Sequence, residues 1–202
     1  MTDYFALLNE PRRPWLDAEA LKKEFLTLSA QMHPDRVHNA EIAEKNQAQE
    51  RYAELNAAYQ CLREPKERLR HLLELERGGK LEPIQNIPPA LMDISLEIGQ
   101  ACRQTDEFLN RKRQAASPLL QVSFFEAGQE QTERLRALLQ RLDSQREPLI
   151  QEIKELDAHW QHSEGTSDRS AQLTRMETLY HLISYYERWS RQMRERIVQL
   201  SI

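Results

Sequence analysis

The sequence predicts an all-α protein, and three observations support that prediction. Leu, Glu, Gln, Arg and Ala dominate the 202 residues, whereas β-branched residues are sparse. Glycine accounts for only 5 positions. Apolar side chains recur at spacings of three and four residues, which places them on one face of a helix.

Two long amphipathic helices are predicted in the first third of the chain. Asp17 is a suitable N-cap for the first helix, and Pro34 ends it because proline lacks an N–H. The second helix should run from about Glu41 to Leu62, with Pro65 as its stop. The apolar stripe of the first helix consists of Leu21, Phe25, Leu28 and Met32.

Two short helices complete the predicted N-terminal region. Residues 3–9 should form one helical turn, and a helix around Leu69 and Leu72 should end at Gly78-Gly79, where left-handed backbone geometry is accessible. The four helices can close a small core of Phe5, Leu8, Leu21, Phe25, Leu28, Tyr52, Leu55, Tyr59 and Leu69.

Glycines and prolines in residues 77–89 predict a linker. We therefore expect three parts: an N-terminal domain (1–76), the linker, and a C-terminal three-helix bundle (90–202). The bundle helices are predicted at about 90–115, 119–162 and 169–200. Pro148 should kink or divide the middle helix, and Asp168 should cap the last one.

Composition and patterning argue against several functions. A net charge of −4 predicts no general attraction to nucleic acid. No signal peptide and no apolar run of ~20 residues is visible, so we expect a cytoplasmic protein without a membrane span. Cys61 and Cys102 are predicted to be buried thiols. No catalytic constellation and no cofactor site is apparent, and His159 and His162 lack further metal ligands, so we expect no enzyme and no metal.

The segment His33-Pro34-Asp35 stands between the two long predicted helices. Pro34 should enforce a tight exit from the first helix, leaving an imidazole and a carboxylate at an exposed corner. Lys22, Lys23 and Arg36 would supply positive charge on the same side for an acidic partner. The alternative is an ordinary X-Pro turn beside a solvated helix face.

Helix, His-Pro-Asp loop and helix is the pattern of J-domains, and residues 3–76 resemble one. More narrowly, three groups of residues resemble the HscB family, the J-proteins of iron–sulfur cluster assembly: Asp3-Tyr4-Phe5, Asn56-Ala57-Ala58-Tyr59 with Leu62, and Pro65, Arg68 and Leu72-Leu73. The resemblance implies an adaptor whose J-domain activates the ATPase of a DnaK-type (HscA-like) chaperone. It also implies a three-helix C-terminal domain that delivers an IscU-like cluster scaffold.

The helix predicted after Pro89 carries two apolar faces. One is suited to the bundle core and consists of Leu91, Ile94, Ile98, Ala101, Cys102, Thr105, Phe108 and Leu109. Met92 and Leu96 point to nearly the opposite side, where they could pack on the N-terminal domain or bind a client. The resemblance favours a client surface of Leu91, Met92, Leu96 and Glu97. Tyr180 of the last helix is a further candidate for this surface, and the alternative for Tyr180 is the bundle core.

Two rival hypotheses remain open at this stage. The protein could be a J-protein that serves another client. It could instead be a structural helical protein that oligomerises through residues 119–200, with an accidental His-Pro-Asp segment. An adaptor should be a monomer, whereas a structural protein should assemble.

Overall fold

The all-α prediction is confirmed by the structure, a computed structural model. The structure describes residues 2–37, 39, 41–82, 86–114, 118–160 and 167–201. Within these ranges seven α-helices and no strand occur. The helices are α1 (Tyr4–Leu7), α2 (Ala18–Gln31), α3 (Ile42–Arg63), α4 (Pro65–Arg77), α5 (Met92–Gln114), α6 (Pro118–Trp160) and α7 (Ser167–Leu200).

The chain divides into two compact units. The first contains residues 1–82 and 150–180, and the second contains residues 83–149 and 181–202. Helices α6 and α7 each contribute residues to both units. The division into domains at 1–76, 77–89 and 90–202 stays a prediction.

In the first unit, α2 and α3 pack side by side and run in opposite directions. The Asp17 carboxylate accepts a hydrogen bond from the Ala20 N–H at 2.8 Å, which confirms Asp17 as the cap of α2. The Phe25 ring stacks on Tyr59 with centroids 4.2 Å apart. Farther along α2, the Ser29 hydroxyl contacts the Tyr52 hydroxyl at 3.2 Å. Contacts later in α2 therefore meet earlier residues of α3, which is the antiparallel arrangement predicted.

The core of the first unit contains most of the predicted residues. Phe5, Leu8, Leu21, Leu55 and Leu69 are buried, whereas Phe25, Leu28, Tyr52 and Tyr59 are partly buried. Helix α4 begins at Pro65 and ends at Arg77, and Gly78 follows as the expected left-handed cap with a φ of 70°. Residues 150–180 add further side chains to this core: Ile153, Trp160, Met176 and Leu179.

The loop before α2 is held by groups distant in the sequence. The Trp160 indole N–H donates to the Arg12 carbonyl at 2.7 Å. The buried Arg68 guanidinium donates to the Pro14 carbonyl at 2.9 Å, and burial lowers the pKa of Arg68 to about 10. Arg68 and Lys154 both place their charge over the Trp15 ring, at 5.2 and 4.7 Å from its centroid. This loop therefore has a defined conformation although two prolines and no helix occupy it.

The second unit is built around the predicted apolar face of α5. All eight residues predicted for that face, the first being Leu91 and the last Leu109, are buried. Residues of α6 and α7 complete the core, namely Leu135, Leu138, Leu142, Tyr185, Tyr186, Trp189, Met193 and Leu200.

The predicted helix bounds lie within two residues of those observed for α1, α2, α3, α5, α6 and α7, but two details differ. Helix α6 continues through Pro148, so the predicted division into two helices is wrong, and a kink stays a prediction. Buried Leu142 and Ile153 anchor the helix on both sides of the proline, and only one backbone hydrogen bond is lost. Helix α7 begins at Ser167, so Asp168 lies in its first turn instead of preceding it. Among the helices described, none is long and apolar enough to cross a membrane.

Candidate functional site

The His33-Pro34-Asp35 segment forms an exposed corner at the end of α2. The last α2 bond runs from the Met32 N–H to the Leu28 carbonyl at 2.9 Å. Residues Pro34–Val37 then form a 3-10 turn, which the Arg36 N–H closes on the His33 carbonyl at 3.0 Å. The Asp35 side chain is 89% exposed. The chain therefore leaves α2 in a tight turn at Pro34, as expected.

One ring nitrogen of His33, Nδ1, contacts both the backbone N–H and the carboxylate of Asp35. His33 Nδ1 lies 3.3 Å from the Asp35 backbone nitrogen and 3.4 Å from its carboxylate. A neutral ring with an unprotonated Nδ1 accepts the backbone N–H, and a protonated ring pairs with the carboxylate. The edge of the ring also meets Tyr52 of α3 at a centroid distance of 5.3 Å. The His33 ring is thus oriented by α3 as well as by the turn.

Three predicted basic side chains lie on or beside helix α2. Lys22 and Lys23 are exposed on α2, on the side of the helix away from buried Leu21. The Arg36 guanidinium folds back to donate to the Ala30 carbonyl at 3.3 Å, which brings it onto the last turn of α2. The structure therefore groups positive charge along one helix face and beside the loop.

The candidate client residues are divided between the surface and the core. Met92 and Leu96 are 45% and 65% exposed. Glu97 is exposed and pairs with Arg141 at 2.7 Å. Leu91 is buried in the core of the second unit, so its side chain supports this helix instead of facing solvent. Tyr180 is partly buried and belongs to the first unit.

The described residues offer little reactive chemistry. They contain no group of three His, Cys, Asp or Glu side chains that could hold a metal ion. Burial raises the pKa of the Cys61 thiol to about 11 and also raises the pKa of Cys102, so both favour the protonated, unreactive form. His159 is exposed, and His162 lies outside the described residues. The expectation of no metal, no cofactor and no catalytic residue stays a prediction.

Comparison with known proteins identifies the class and then the family. Residues 3–71 match the DnaJ domain model. Together with the helix pair and its exposed His-Pro-Asp corner, this match defines a J-domain co-chaperone. The co-chaperone protein HscB homolog of Bordetella petrii is 34% identical over 139 residues, which are 68% of this chain and 78% of that relative. The homolog of Cupriavidus taiwanensis is 33% identical over 144 residues, which are 70% of this chain and 78% of that relative. The chain belongs to the HscB family of co-chaperones.

Further similarities cover different parts of the molecule. A Paraburkholderia phymatum HscB homolog is 43% identical over 110 residues, which are 51% of this chain and 63% of that relative. Among solved structures, HscB from Vibrio cholerae has a TM-score of 0.52 at 20% identity, covering 95% of this chain and 99% of that one. Human HscB also has a TM-score of 0.52, at 17% identity, covering 93% and 81%. These structural similarities support the fold.

Two features of the first unit were not predicted from the sequence. Lys154, Asp157 and Trp160 hold the loop before α2, although they lie more than 130 residues later in the chain. Leu26 is an exposed apolar residue on the basic face of α2. Spacing along the sequence could have placed Leu26 off the apolar stripe, whereas no local signal connects residue 15 with residue 157.

Proposed function

We propose that this protein binds a DnaK-type, HscA-like chaperone and stimulates its ATP hydrolysis. The observation that carries the proposal is the exposed corner of His33, Pro34 and Asp35, which has Arg36 beside it and follows the helix that carries Lys22 and Lys23. The sequence contains no G-x-x-x-x-G-K-[ST] loop, which fits an arrangement in which the partner holds the nucleotide. The co-chaperone then acts by binding, as a monomer in the cytoplasm, and is not itself an enzyme.

Each part of the corner has a distinct task in this proposal. The lysines and Arg36 attract an acidic chaperone surface, because exposed charges accelerate encounter with a complementary partner. Asp35 presents an ionised acceptor and His33 an imidazole, both able to form charge-assisted hydrogen bonds with the chaperone. Orientation of His33 by Tyr52, and of both residues by the 3-10 turn, lowers the entropy lost on binding.

We further propose that the second unit presents a client, an IscU-like iron–sulfur cluster scaffold. Membership of the HscB family supports the class of client. The exposed pair Met92 and Leu96, with Glu97 one residue farther along α5, supports the place. An apolar pair bordered by acidic side chains is suited to a small interface with an apolar centre and a polar rim.

Substitution of Asp35 by Asn tests the chaperone proposal. The side chain keeps its shape and loses its charge at an exposed position, so the free energy of unfolding should change by less than ~0.5 kcal/mol. Stimulation of the chaperone ATPase should be almost wholly lost. Asp143→Asn is the matched control, because it removes another exposed carboxylate, on α6, and should leave stimulation unchanged.

Two outcomes would contradict the proposal. If the Asp35→Asn variant stimulates as well as the wild type, the corner is not the activating element. If the wild type stimulates no DnaK-type chaperone, including one encoded beside it, the protein does not have this function.

A further inference from the structure

Leu26 is a large apolar side chain exposed at the centre of the basic face of α2. It is 56% exposed, whereas Leu21 on the opposite side of the same helix is buried. At 100° per residue, Leu26 projects about 140° away from Leu21 and about 160° away from Leu28. Single exposed apolar residues are common on protein surfaces, so exposure alone does not imply a role. The surroundings of Leu26 provide the further evidence.

Positive charge borders Leu26 on both sides along the helix axis. Lys22 and Lys23 lie one turn earlier, and all three side chains line one shallow depression with Glu19 and Thr27. One turn later is Ala30, whose carbonyl accepts the hydrogen bond of the Arg36 guanidinium. Leu26 therefore occupies an apolar gap between two cationic groups, and Glu19 lies at the far end of the depression.

This apolar gap is continuous with the His-Pro-Asp corner. Helix α2 ends at Gln31, five residues after Leu26, which corresponds to about 8 Å along the helix axis. A partner that covers Lys22, Lys23 and Arg36 while contacting the corner must also cover Leu26. Charge complementarity selects an acidic partner surface, and removal of Leu26 from water favours an apolar side chain at its centre.

We propose that Leu26 is a specificity-determining residue for the chaperone partner. The partner surface that faces Leu26 carries an apolar side chain bordered by carboxylates. This inference rests on the proposed chaperone function and adds the partner's surface chemistry to it. The lysines govern the salt-dependent encounter, and Leu26 supplies a contribution to binding that salt does not screen. A chaperone with a charged or polar residue facing Leu26 would be bound less tightly, because that group would lose water without gaining a partner.

The test is a titration of chaperone ATPase stimulation at three salt concentrations. The chaperone is the DnaK-type protein that the wild type activates. For Leu26→Ala, the concentration giving half-maximal stimulation should rise on the order of five- to tenfold at every salt concentration, with maximal stimulation retained. Reversal of charge at Lys22 and Lys23 should instead flatten the salt dependence. The two variants therefore separate the apolar contribution from the electrostatic one.

Two further variants serve as controls for Leu26→Ala. Leu26→Met keeps the apolar volume and should remain within about twofold of the wild type. Val198→Ala shortens another exposed aliphatic residue, 61% exposed on α7, and should change nothing. Melting curves of all variants should superimpose on that of the wild type, since little buried area is lost.

The outcomes distinguish this inference from the proposed function. If the wild type stimulates the chaperone and Leu26→Ala has the same half-maximal concentration, the role of Leu26 is overturned. The chaperone function then stays intact. A lowered melting temperature for Leu26→Ala, relative to Val198→Ala, overturns it as well by making Leu26 a packing residue. Absence of stimulation by the wild type overturns the proposed function, and the role of Leu26 falls with it.

Discussion

Arg13 and Asp157 are 144 residues apart in the sequence and form a two-bond ion pair within the first unit. Arg13 Nε donates to one oxygen of the Asp157 carboxylate at 2.8 Å, and Arg13 Nη2 donates to the other. The same carboxylate accepts the Trp15 N–H at 3.2 Å. The hydrogen bond to Asp157 raises the pKa of Arg13. Helix α6 thus fixes the loop that leads directly into helix α2.

Replacing Asp157 by Asn should destabilise the first unit. The Asp157 carboxyl is only 5% exposed, so the substitution removes a charge and leaves the hydrogen-bonding groups of Arg13 incompletely paired. We expect a loss of about 2–3 kcal/mol in the free energy of unfolding, since breaking largely buried pairs is costly while Arg13 itself retains some contact with water. Urea unfolding followed by tryptophan fluorescence measures this change.

Glu152→Gln provides the matched control for Asp157→Asn. Glu152 also forms a two-bond pair with an arginine of the first unit, Arg175, one bond being 2.7 Å, but this pair is more exposed than that of Arg13 and Asp157. Exposed pairs contribute little, so the change should stay below ~1 kcal/mol. Equal effects of the two substitutions would contradict the view that burial makes the Asp157 anchor important.

Protonation of His71 should weaken the first unit at acidic pH. His71 is buried, stacks on Tyr4 with ring centroids 4.5 Å apart, and accepts the Tyr4 N–H at its Nε2, 3.0 Å away. Burial lowers the pKa of His71 below 6.5, against the opposing charges of Asp3 and Glu74. The folded state therefore holds a neutral ring that accepts a hydrogen bond, a bond that the protonated ring cannot form.

The sign of the pH dependence follows from this lowered pKa. Below about pH 6.5 the unfolded chain binds a proton at His71 that the folded chain does not, so stability decreases as the pH falls towards the folded pKa. Above about pH 6.5 the contribution of His71 is fully present. Urea midpoints measured from pH 5 to pH 8 should show this slope for the wild type and a reduced slope for His71→Phe, which keeps a stacking ring. A slope unaltered in His71→Phe would assign the pH dependence to other groups.

The helices of this protein were predictable because their signals are local. Proline stops at residues 34 and 65, the Asp17 cap and the stripe of apolar residues each depend on a few neighbouring positions. The corner of His33 and Asp35 was predictable for the same reason. A continuous α6 was harder to predict, because burial on both sides of Pro148 outweighs the local preference to stop.

Contacts between distant segments could not be read from the sequence. Nothing around Asp157 distinguishes it from the exposed acidic residues of a solvated helix, yet it is buried against Arg13. Helical spacing predicted Leu91 on the core face and Met92 on nearly the opposite face, but it could not show whether another part of the chain would cover Met92; Leu91 is buried and Met92 is exposed. The predicted roles of Lys22, Lys23, Met92, Leu96 and Tyr180 remain predictions, because binding partners determine them.

Replacing Met92 and Leu96 together by Ala should reduce client binding while leaving the fold intact. Met92 is about half exposed and Leu96 is largely exposed, so little buried area is lost and the melting temperature should be nearly unchanged. In a small interface an apolar pair of this kind can contribute ~1–2 kcal/mol per side chain. Titration of an IscU-like scaffold should therefore show binding weakened by at least about tenfold.

Ile94→Ala is the control on the buried face of the same helix. Ile94 belongs to the core of the second unit, so its truncation should lower the free energy of unfolding by about 2–4 kcal/mol through lost burial and a cavity. Scaffold affinity, measured at a temperature where this variant is still folded, should equal that of the wild type. Unchanged affinity of the Met92/Leu96 variant, combined with a lower melting temperature, would make the pair packing residues and place the client site elsewhere. If the wild type binds no scaffold at all, the iron–sulfur role is wrong. The proposed chaperone stimulation, tested through Asp35, would stand, because the two proposals rest on different residues.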